Sequence, residues 1–326
     1  MIDNKYFVER QIGMGGSSRV YLATDSDENK VAIKTIRAEK NYKKSSATNM
    51  LQKEYDVLMK LSNHPNVVNV IDYNHHGESS IGNKVEKIMY NVLEFAENGT
   101  LGRFIRHTGA IEEPIARLFI LQILDGIKFL HKQDHAHLDI KLENILLDKY
   151  YNIKVADLGS CSDVSMTGGY ATVRRGTTNY MAPEVSNLKS RKRFDAKAAD
   201  IYSLGVTFYL ILTGEFPKVH DLEKSVVDRD EDVAYTCGSD REMSLDCEMT
   251  DDSLPASNLM HLSKEVRILL YSMLNEDPSK RPDIQQILDN SWCYCPLDEG
   301  LLEEAYTEME YRRRYIQKNL LCKKKR

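Results

Sequence analysis

The sequence is sparing with cysteine, and what it has is not arranged for metal or cross-linking. Six cysteines are dispersed through 326 residues, and only Cys293 and Cys295 lie close together. This excludes a paired-cysteine zinc module, and we expect reduced, unpaired thiols. Long apolar runs are missing too. The longest, Ile201 to Leu212, is broken by Ser203, Gly205 and Thr207 and falls short of the roughly 20 residues that a membrane helix needs, so it reads as a buried helix. Neither sign of charge dominates: 44 basic against 49 acidic side chains leave a formal net charge of −5, with no general pull towards nucleic acid or an anionic membrane. Met1 leads into Tyr6, Phe7, Val8 and Glu9 without a basic-then-apolar leader, from which we expect no secretory signal and an intracellular, cytoplasmic location. Internal repeats are absent.

What is present is ordinary globular material, 42% hydrophobic and 29% charged, in a chain long enough for two lobes with separate cores. Short β-rich runs come first: Phe7 to Ile12, Arg19 to Thr24, Lys30 to Ile36, Val67 to Tyr73 and Ile88 to Phe95. One helix interrupts them over Ser46 to Leu61, where Leu51, Tyr55, Leu58 and Leu61 recur at helical spacing. From Leu101 helical patterns take over, notably Glu112 to Gln133, Lys197 to Thr213, Lys264 to Asn275 and Ile284 to Asp289. Residues 221–252 differ in composition, with twelve acids to three bases, and read as a solvated insertion. After Pro296, Leu302, Tyr306, Met309, Ile316 and Leu320 mark a further helix whose acids precede its bases, as the helix dipole favours.

The chemistry is concentrated in His137-Leu138-Asp139-Ile140-Lys141-Leu142-Glu143-Asn144, followed by Asp157-Leu158-Gly159. An acid, a lysine and an amide at fixed offsets, then a second acid before a glycine, suit phosphoryl transfer, which needs positioning and charge neutralisation more than covalent help. The run resembles the catalytic loop (HRDxKxxN) and metal-binding motif (DFG) of eukaryotic protein kinases of the serine/threonine type. Two positions depart from the pattern: Leu138 replaces an arginine and Leu158 a phenylalanine. The resemblance extends from about Phe7 to Trp292. It implies a two-lobed α+β fold, with a small antiparallel β-sheet lobe containing one helix (7–95) and a larger, mainly helical lobe (96–293). The catalytic domain would then span 7–293, carry the acidic insertion 221–252, and be followed by a helical extension, 294–326, with a basic end.

Residue by residue, the resemblance implies that Asp139 accepts or orients the substrate hydroxyl proton and Lys141 neutralises charge on the transferring group. Asn144 and Asp157 would hold Mg²⁺ through hard oxygen ligands. Gly13 and Gly15, in Gly13-Met14-Gly15-Gly16-Ser17-Ser18, would let main-chain NH groups approach the phosphates of ATP; in isolation this segment reads equally as a simple glycine hairpin. Val31-Ala32-Ile33-Lys34 matches the family's VAIK strand. Lys34 would bind the α and β phosphates, with Glu54 as its carboxylate partner. Leu93 would be the gatekeeper, the main chain of Glu94 and Ala96 would meet the adenine edge, and Val20, Ala32 and Leu146 would sandwich it.

Lys141 and Thr177 point to serine or threonine as acceptor. Gly176 to Glu184 resembles the docking segment ending in APE, with Thr177 bonding Asp139 and Lys141. Asp200 matches the buried anchor of the catalytic loop, and Arg281 the partner of Glu184; both read as structural. Without an arginine at Leu138, activity is expected not to depend on phosphorylation of Ser160 to Arg175. Leu158 would pack with His137, Leu58 and Val70 between the lobes. The expected partners are protein substrates, with the acidic insertion and Glu143 favouring basic residues before the phosphorylated site. No nucleic acid is expected. The C-terminal helix is a candidate site for a regulatory partner, and Arg312 to Arg314 with Lys323 to Arg326 would serve as a nuclear-import signal, a lipid-binding patch or a plain solvated helix end. The rival readings are a catalytically silent scaffold, against which Lys34, Asp139 and Asp157 all stand, and a small-molecule kinase, which Thr177 and Ala182-Pro183-Glu184 disfavour.

Overall fold

Alternation of apolar and polar side chains builds the first layer. A computed structural model describes residues 1–14, 18–37, 46–61, 63–80, 85–189, 192–218, 222, 223, 225, 226, 259 and 261–324. Strands β1 (Phe7–Met14), β2 (Ser18–Thr24), β3 (Lys30–Arg37), β4 (Val70–Ser79) and β5 (Glu86–Glu94) form an antiparallel sheet in the order β1-β2-β3-β5-β4. In β3, Val31 and Ile33 face one side, where Ile2, Tyr6, Ile88, Tyr90 and Val92 cover them. Ala32 faces the other, in a cluster that includes Leu93 and Val57 and Leu58 of helix α1 (Ser46–Lys60). That period of two is what lets one strand carry both a core side chain and, at Lys34, a functional one.

The strand expected over Val67 to Tyr73 is displaced at both ends, running from Val70 to Ser79. Val67 and Val68 precede β4: both are buried, Val67 bridges to Val155, and the Val68 amide donates to the Val155 carbonyl. They are apolar because they pack against the second lobe, a tertiary demand that looks like strand propensity in sequence.

The second lobe is organised around α3 (Glu113–Lys132) and α5 (Ala196–Thr213), with the short α4 (Pro183–Ser186) between them in the chain. Helix α5 is apolar nearly all round, so it is buried on almost every side, and the interrupted run Ile201–Leu212 is a core helix as expected. No helix among the described residues is long and apolar enough to cross a membrane. A short helix that the periodicity did not mark, α2 (Leu101–Thr108), starts where Thr100 caps the Arg103 amide at 3.1 Å and stops at Gly109, whose φ of 78° favours glycine. Between these elements, β6 (Gly99–Thr100), β8 (Ile145–Leu147) and β9 (Ile153–Val155) make a small sheet, while β7 (His135–Ala136) pairs with Ser162–Asp163.

The extension forms one helix, Leu301–Lys324. Leu301, Ala305, Met309 and Ile316 enter the same core as α2 and α3, so the face packed on the chain's own lobe includes Met309 and Ile316 of the expected stripe, whereas Leu302, Tyr306 and Leu320 are exposed. Two arginines of the basic cluster are committed as well. Arg312 is buried, Arg313 pairs with Glu310 at 2.8 Å, and only Arg314 is well exposed. A nuclear-import or lipid-binding role would therefore fall to Lys323 to Arg326, whose side chains lie outside the described residues. Most of the acidic insertion lies outside them too: of 221–252, only Leu222, Glu223, Ser225 and Val226 are described.

Candidate active site

Strand register gathers the first half of the site. Gly13 lies opposite Val20, Val20 opposite Lys34, and Ala32 opposite Leu93. Val20 and Leu146 pack on the cluster that holds Ala32 and Leu93, so the three residues expected to sandwich an adenine and the expected gatekeeper, Leu93, share one apolar surface beneath the sheet. Gly15 lies outside the described residues. The Lys34 ammonium sits 2.9 and 2.8 Å from the two Glu54 oxygens and 2.7 Å from Asp157 Oδ1. Burial works against the Lys34 charge, but the two carboxylates more than reverse this and raise its pKa above the ordinary value. Burial pushes the Asp157 carboxyl up, and Lys34 more than offsets it, holding the group below the usual carboxylate range. Glu54 is wholly buried, which raises its pKa against the pull of Lys34. The three groups form a charged clamp joining β3, α1 and the loop after β9.

The second half is suspended from one buried acid. Asp200, on α5, is fully buried and accepts hydrogen bonds from the His137 amide at 2.7 Å, the Leu138 amide at 2.8 Å and His131 Nε2 at 2.9 Å. Those bonds hold Leu138 at φ 62°, a left-handed conformation that a leucine rarely adopts. His137 Nε2 donates to the Ala156 carbonyl at 3.1 Å and its Nδ1 accepts the Asp139 amide at 3.2 Å. The loop is thus fixed on both sides of Asp139.

At its tip three side chains close a triangle. Thr177 Oγ1 donates to Asp139 Oδ1 at 2.8 Å, and Lys141 Nζ donates to Asp139 Oδ2 at 2.7 Å and to Thr177 Oγ1 at 2.8 Å. Asn144 Nδ2 donates to the Asp139 carbonyl at 2.8 Å and to its Oδ2 at 3.2 Å, which leaves the amide oxygen as the atom for a cation. Asp157 follows in a left-handed turn, φ 63° and ψ 61°. Among the described residues no group of three or more His, Cys, Asp or Glu could hold an ion. Two protein oxygens nevertheless fit Mg²⁺, which prefers one or two protein ligands and takes the others from phosphates and water.

The segment after Asp157 is held by packing. Leu158 is fully buried with Leu58, and Val70 packs on the same cluster; His137 is buried as well. Ser162–Asp163 pairs with β7, and Tyr170–Ala171 pairs with Phe194–Asp195. Leu138 joins Val164, Ala171, Ala182, Val185 and Phe194 in an apolar cluster, so the side chain that replaces the arginine shares a core with two residues of the segment. Gly176, at φ 106°, has no alternative: a Cβ there would lie 2.7 Å from the Leu138 carbonyl oxygen. Cys161 is buried and its thiol is pushed up to about 12 by burial. It is one of four free cysteines among the described residues, in line with the expected reduced thiols. Glu184, closing the docking segment, receives both Arg281 nitrogens at 2.7 and 2.8 Å.

The structure therefore joins Lys34, Glu54 and Asp157 in one polar group and Asp139, Lys141 and Asn144 in another, with Val20, Ala32, Leu93 and Leu146 on one apolar cluster. Two details were not readable from sequence. The Glu94 side chain is occupied by Lys154, 3.0 Å away, and by the Asn69 amide at 2.8 Å, so only its main chain can meet a nucleotide. Lys154 lies 60 residues further on, and no local pattern marks the pair. Glu143 is likewise engaged, at 3.0 Å from Arg106 of α2.

Comparison with known proteins accords with this geometry. The family model described as "Protein kinase domain" matches residues 6–293. CBL-interacting protein kinase 31 of Oryza sativa subsp. japonica is 30% identical over 306 residues, covering 93% of this chain and 60% of the relative. The Hormonally up-regulated neu tumor-associated kinase homolog of Xenopus tropicalis is 32% identical over 298 residues, 88% of this chain and 37% of its own. CBL-interacting serine/threonine-protein kinase 7 of Arabidopsis thaliana is 28% identical over 291 residues, with shares of 88% and 60%. The chain spans at most 60% of the length of these curated relatives.

Proposed function

Because the chain belongs to the protein kinase family, we propose that it transfers the γ-phosphoryl group of Mg-ATP to serine or threonine hydroxyls of protein substrates. The observation that carries this is the triangle of Asp139, Lys141 and Thr177. Asp139 presents a carboxylate to the incoming hydroxyl and takes up its proton. Lys141, held beside it, neutralises charge on the transferring group, and Thr177 ties the docking segment to both. Lys34 would hold the nucleotide phosphates, and Asn144 and Asp157 the Mg²⁺, which when bound draws off charge building on the phosphate oxygens. A silent scaffold would have no need of a lysine clamped by two carboxylates. A small-molecule kinase would have no need of a docking segment secured by Glu184 and Arg281.

Activity does not, on this reading, require a phosphate on the segment Ser160 to Arg175. Where an arginine would gather that phosphate, Leu138 instead shares an apolar cluster with Val164 and Ala171, and burial of apolar surface needs no phosphate to drive it. Treating the purified protein with a broad phosphatase should leave the initial rate of peptide phosphorylation nearly unchanged; loss of most of the rate would refute the reading.

Substrate preference follows from charge. Glu143 is already paired with Arg106, so a preference for basic residues before the target hydroxyl rests mainly on the acids of 221–252. Changing the insertion's acids to their amides should lower kcat/KM on basic peptides more than on neutral ones. Equal losses on the two peptide classes would count against it. A regulatory partner at the C-terminal helix would have to address its outer face, since the inner face is buried on the lobe.

A further inference from the structure

Arg312 lies in the C-terminal helix, beyond the stretch matched by the family model, yet its side chain is almost wholly buried. An arginine is always charged and is costly to bury unless its donors are satisfied. Here they are. Nε donates to Glu308 at 2.6 Å, Nη1 to Thr108 Oγ1 at 2.7 Å and to the Gly109 carbonyl at 3.1 Å, and Nη2 to the Ala110 carbonyl at 2.7 Å. Three of those acceptors belong to consecutive residues, Thr108, Gly109 and Ala110, that close α2, where the negative end of the helix dipole also attracts a cation.

What that turn supports lies on its other side. The Ile111 amide donates to the Ile211 carbonyl at 2.9 Å, and a Cβ on Gly214 would meet the Ala110 nitrogen at 3.3 Å, so the turn is in close contact with the end of α5. Helix α2 itself is pressed against the catalytic loop: a Cβ on Gly102 would come within 3.1 Å of the Leu142 carbonyl carbon. Gly102, Ile105 and Arg106 of α2, with Leu210, Gly214 and Phe216, wall a cleft of about 440 Å³ that opens beside Lys141 and Thr177. Both walls are therefore set by the turn that Arg312 grips.

We infer that Arg312 is a positioning residue for the peptide-binding cleft, acting from outside it by fixing the 108–110 turn between α2 and α5. The inference rests on the kinase reading above. It assigns the C-terminal helix a part in substrate recognition beyond stability. Lys34, Glu54 and Asp157 lie on other elements, so nucleotide binding should be insensitive to it.

The test is steady-state kinetics of the full chain, wild type against Arg312→Ala and Arg312→Lys, with peptide and ATP varied separately. Lysine keeps the charge but cannot bridge several acceptors as a planar fork does. The expected result is a rise of about tenfold in peptide KM for Arg312→Ala, below the roughly 10²-fold that a misplacement of a whole ångström can cost, a smaller rise for Arg312→Lys, and an unchanged KM for ATP. Exposed Arg314→Ala should behave as wild type. Unchanged peptide KM, or a parallel rise in both KM values, would overturn the inference. If the alanine variant fails to fold, the lysine variant decides by the same criterion. Amide hydrogen exchange over residues 101–111 is read on the same proteins. Faster exchange in the variants supports the inference, and unchanged exchange opposes it, even if wild type transferred no phosphate, an outcome that would instead refute the kinase reading.

Discussion

Replacing Asp139 by asparagine is expected to lower kcat by about 10²- to 10⁴-fold, the range that a positioned general base supplies, with little change in KM for ATP. The substitution keeps the size of the side chain, so the loop should hold: its main anchors are the Asp200 bonds to the His137 and Leu138 amides and the His137 bond to Ala156. What it removes is a carboxylate that accepts from Lys141 on one oxygen and Thr177 on the other. An asparagine offers an acceptor on one side only and presents a donor to the other. Transfer of labelled γ-phosphate to a mixed serine, threonine and tyrosine peptide library measures the effect. Label on serine or threonine that the variant loses, with ATP binding retained, is the expected outcome. Equal labelling by both proteins would dismiss Asp139 as the proton acceptor.

The largest loss of stability is expected at Arg281. Its guanidinium is bidentate to Glu184 at 2.7 and 2.8 Å and also donates to the carbonyls of Asn275, at 2.8 Å, and Ala198, at 3.0 Å. Arg281→Ala strands Glu184, whose side chain is only 19% exposed. Removing one partner of a buried pair costs about 3 to 5 kcal/mol. At about 2 to 4 °C per kcal/mol for a domain of this size, the melting temperature should fall by roughly 6 to 20 °C. Replacing both residues by apolar ones of similar volume should recover much of the loss, because the unpaired charge, more than the missing attraction, sets the cost. Thermal unfolding of the two single variants and the double variant distinguishes the cases. Additive losses would show that the pair is not acting as a unit.

The two expectations differ in how they could be reached. Asp139, Lys141 and Asn144 lie within six residues, so their association was legible as soon as the loop was read. Glu184 and Arg281 are 97 residues apart, and only the resemblance of both flanking motifs joined them before the structure did. Where no resemblance applied, sequence was silent: Lys154 beside Glu94, Arg106 beside Glu143 and Arg312 on the α2 turn are ordinary charged residues in polar surroundings. The arginines of the C-terminal cluster even suggested a targeting signal, since a run of like charges looks the same whether solvated or committed. Burial separates the two, and burial is a property of the assembled lobes.

By itself the sequence determined the order of the main elements and which residues could serve the proposed phosphoryl transfer. Apolar period is set by the backbone geometry of strand or helix, and phosphoryl transfer needs particular donors and acceptors at short spacing. Tertiary structure decided the rest: that Val67 and Val68 pack between the lobes without joining β4, that Leu138 shares an apolar cluster with two residues of the segment, and that the C-terminal helix belongs to the catalytic lobe. Each of these depends on which surfaces meet across long separations. A side chain's identity constrains what it can bond, but only the folded chain settles what comes within reach of it.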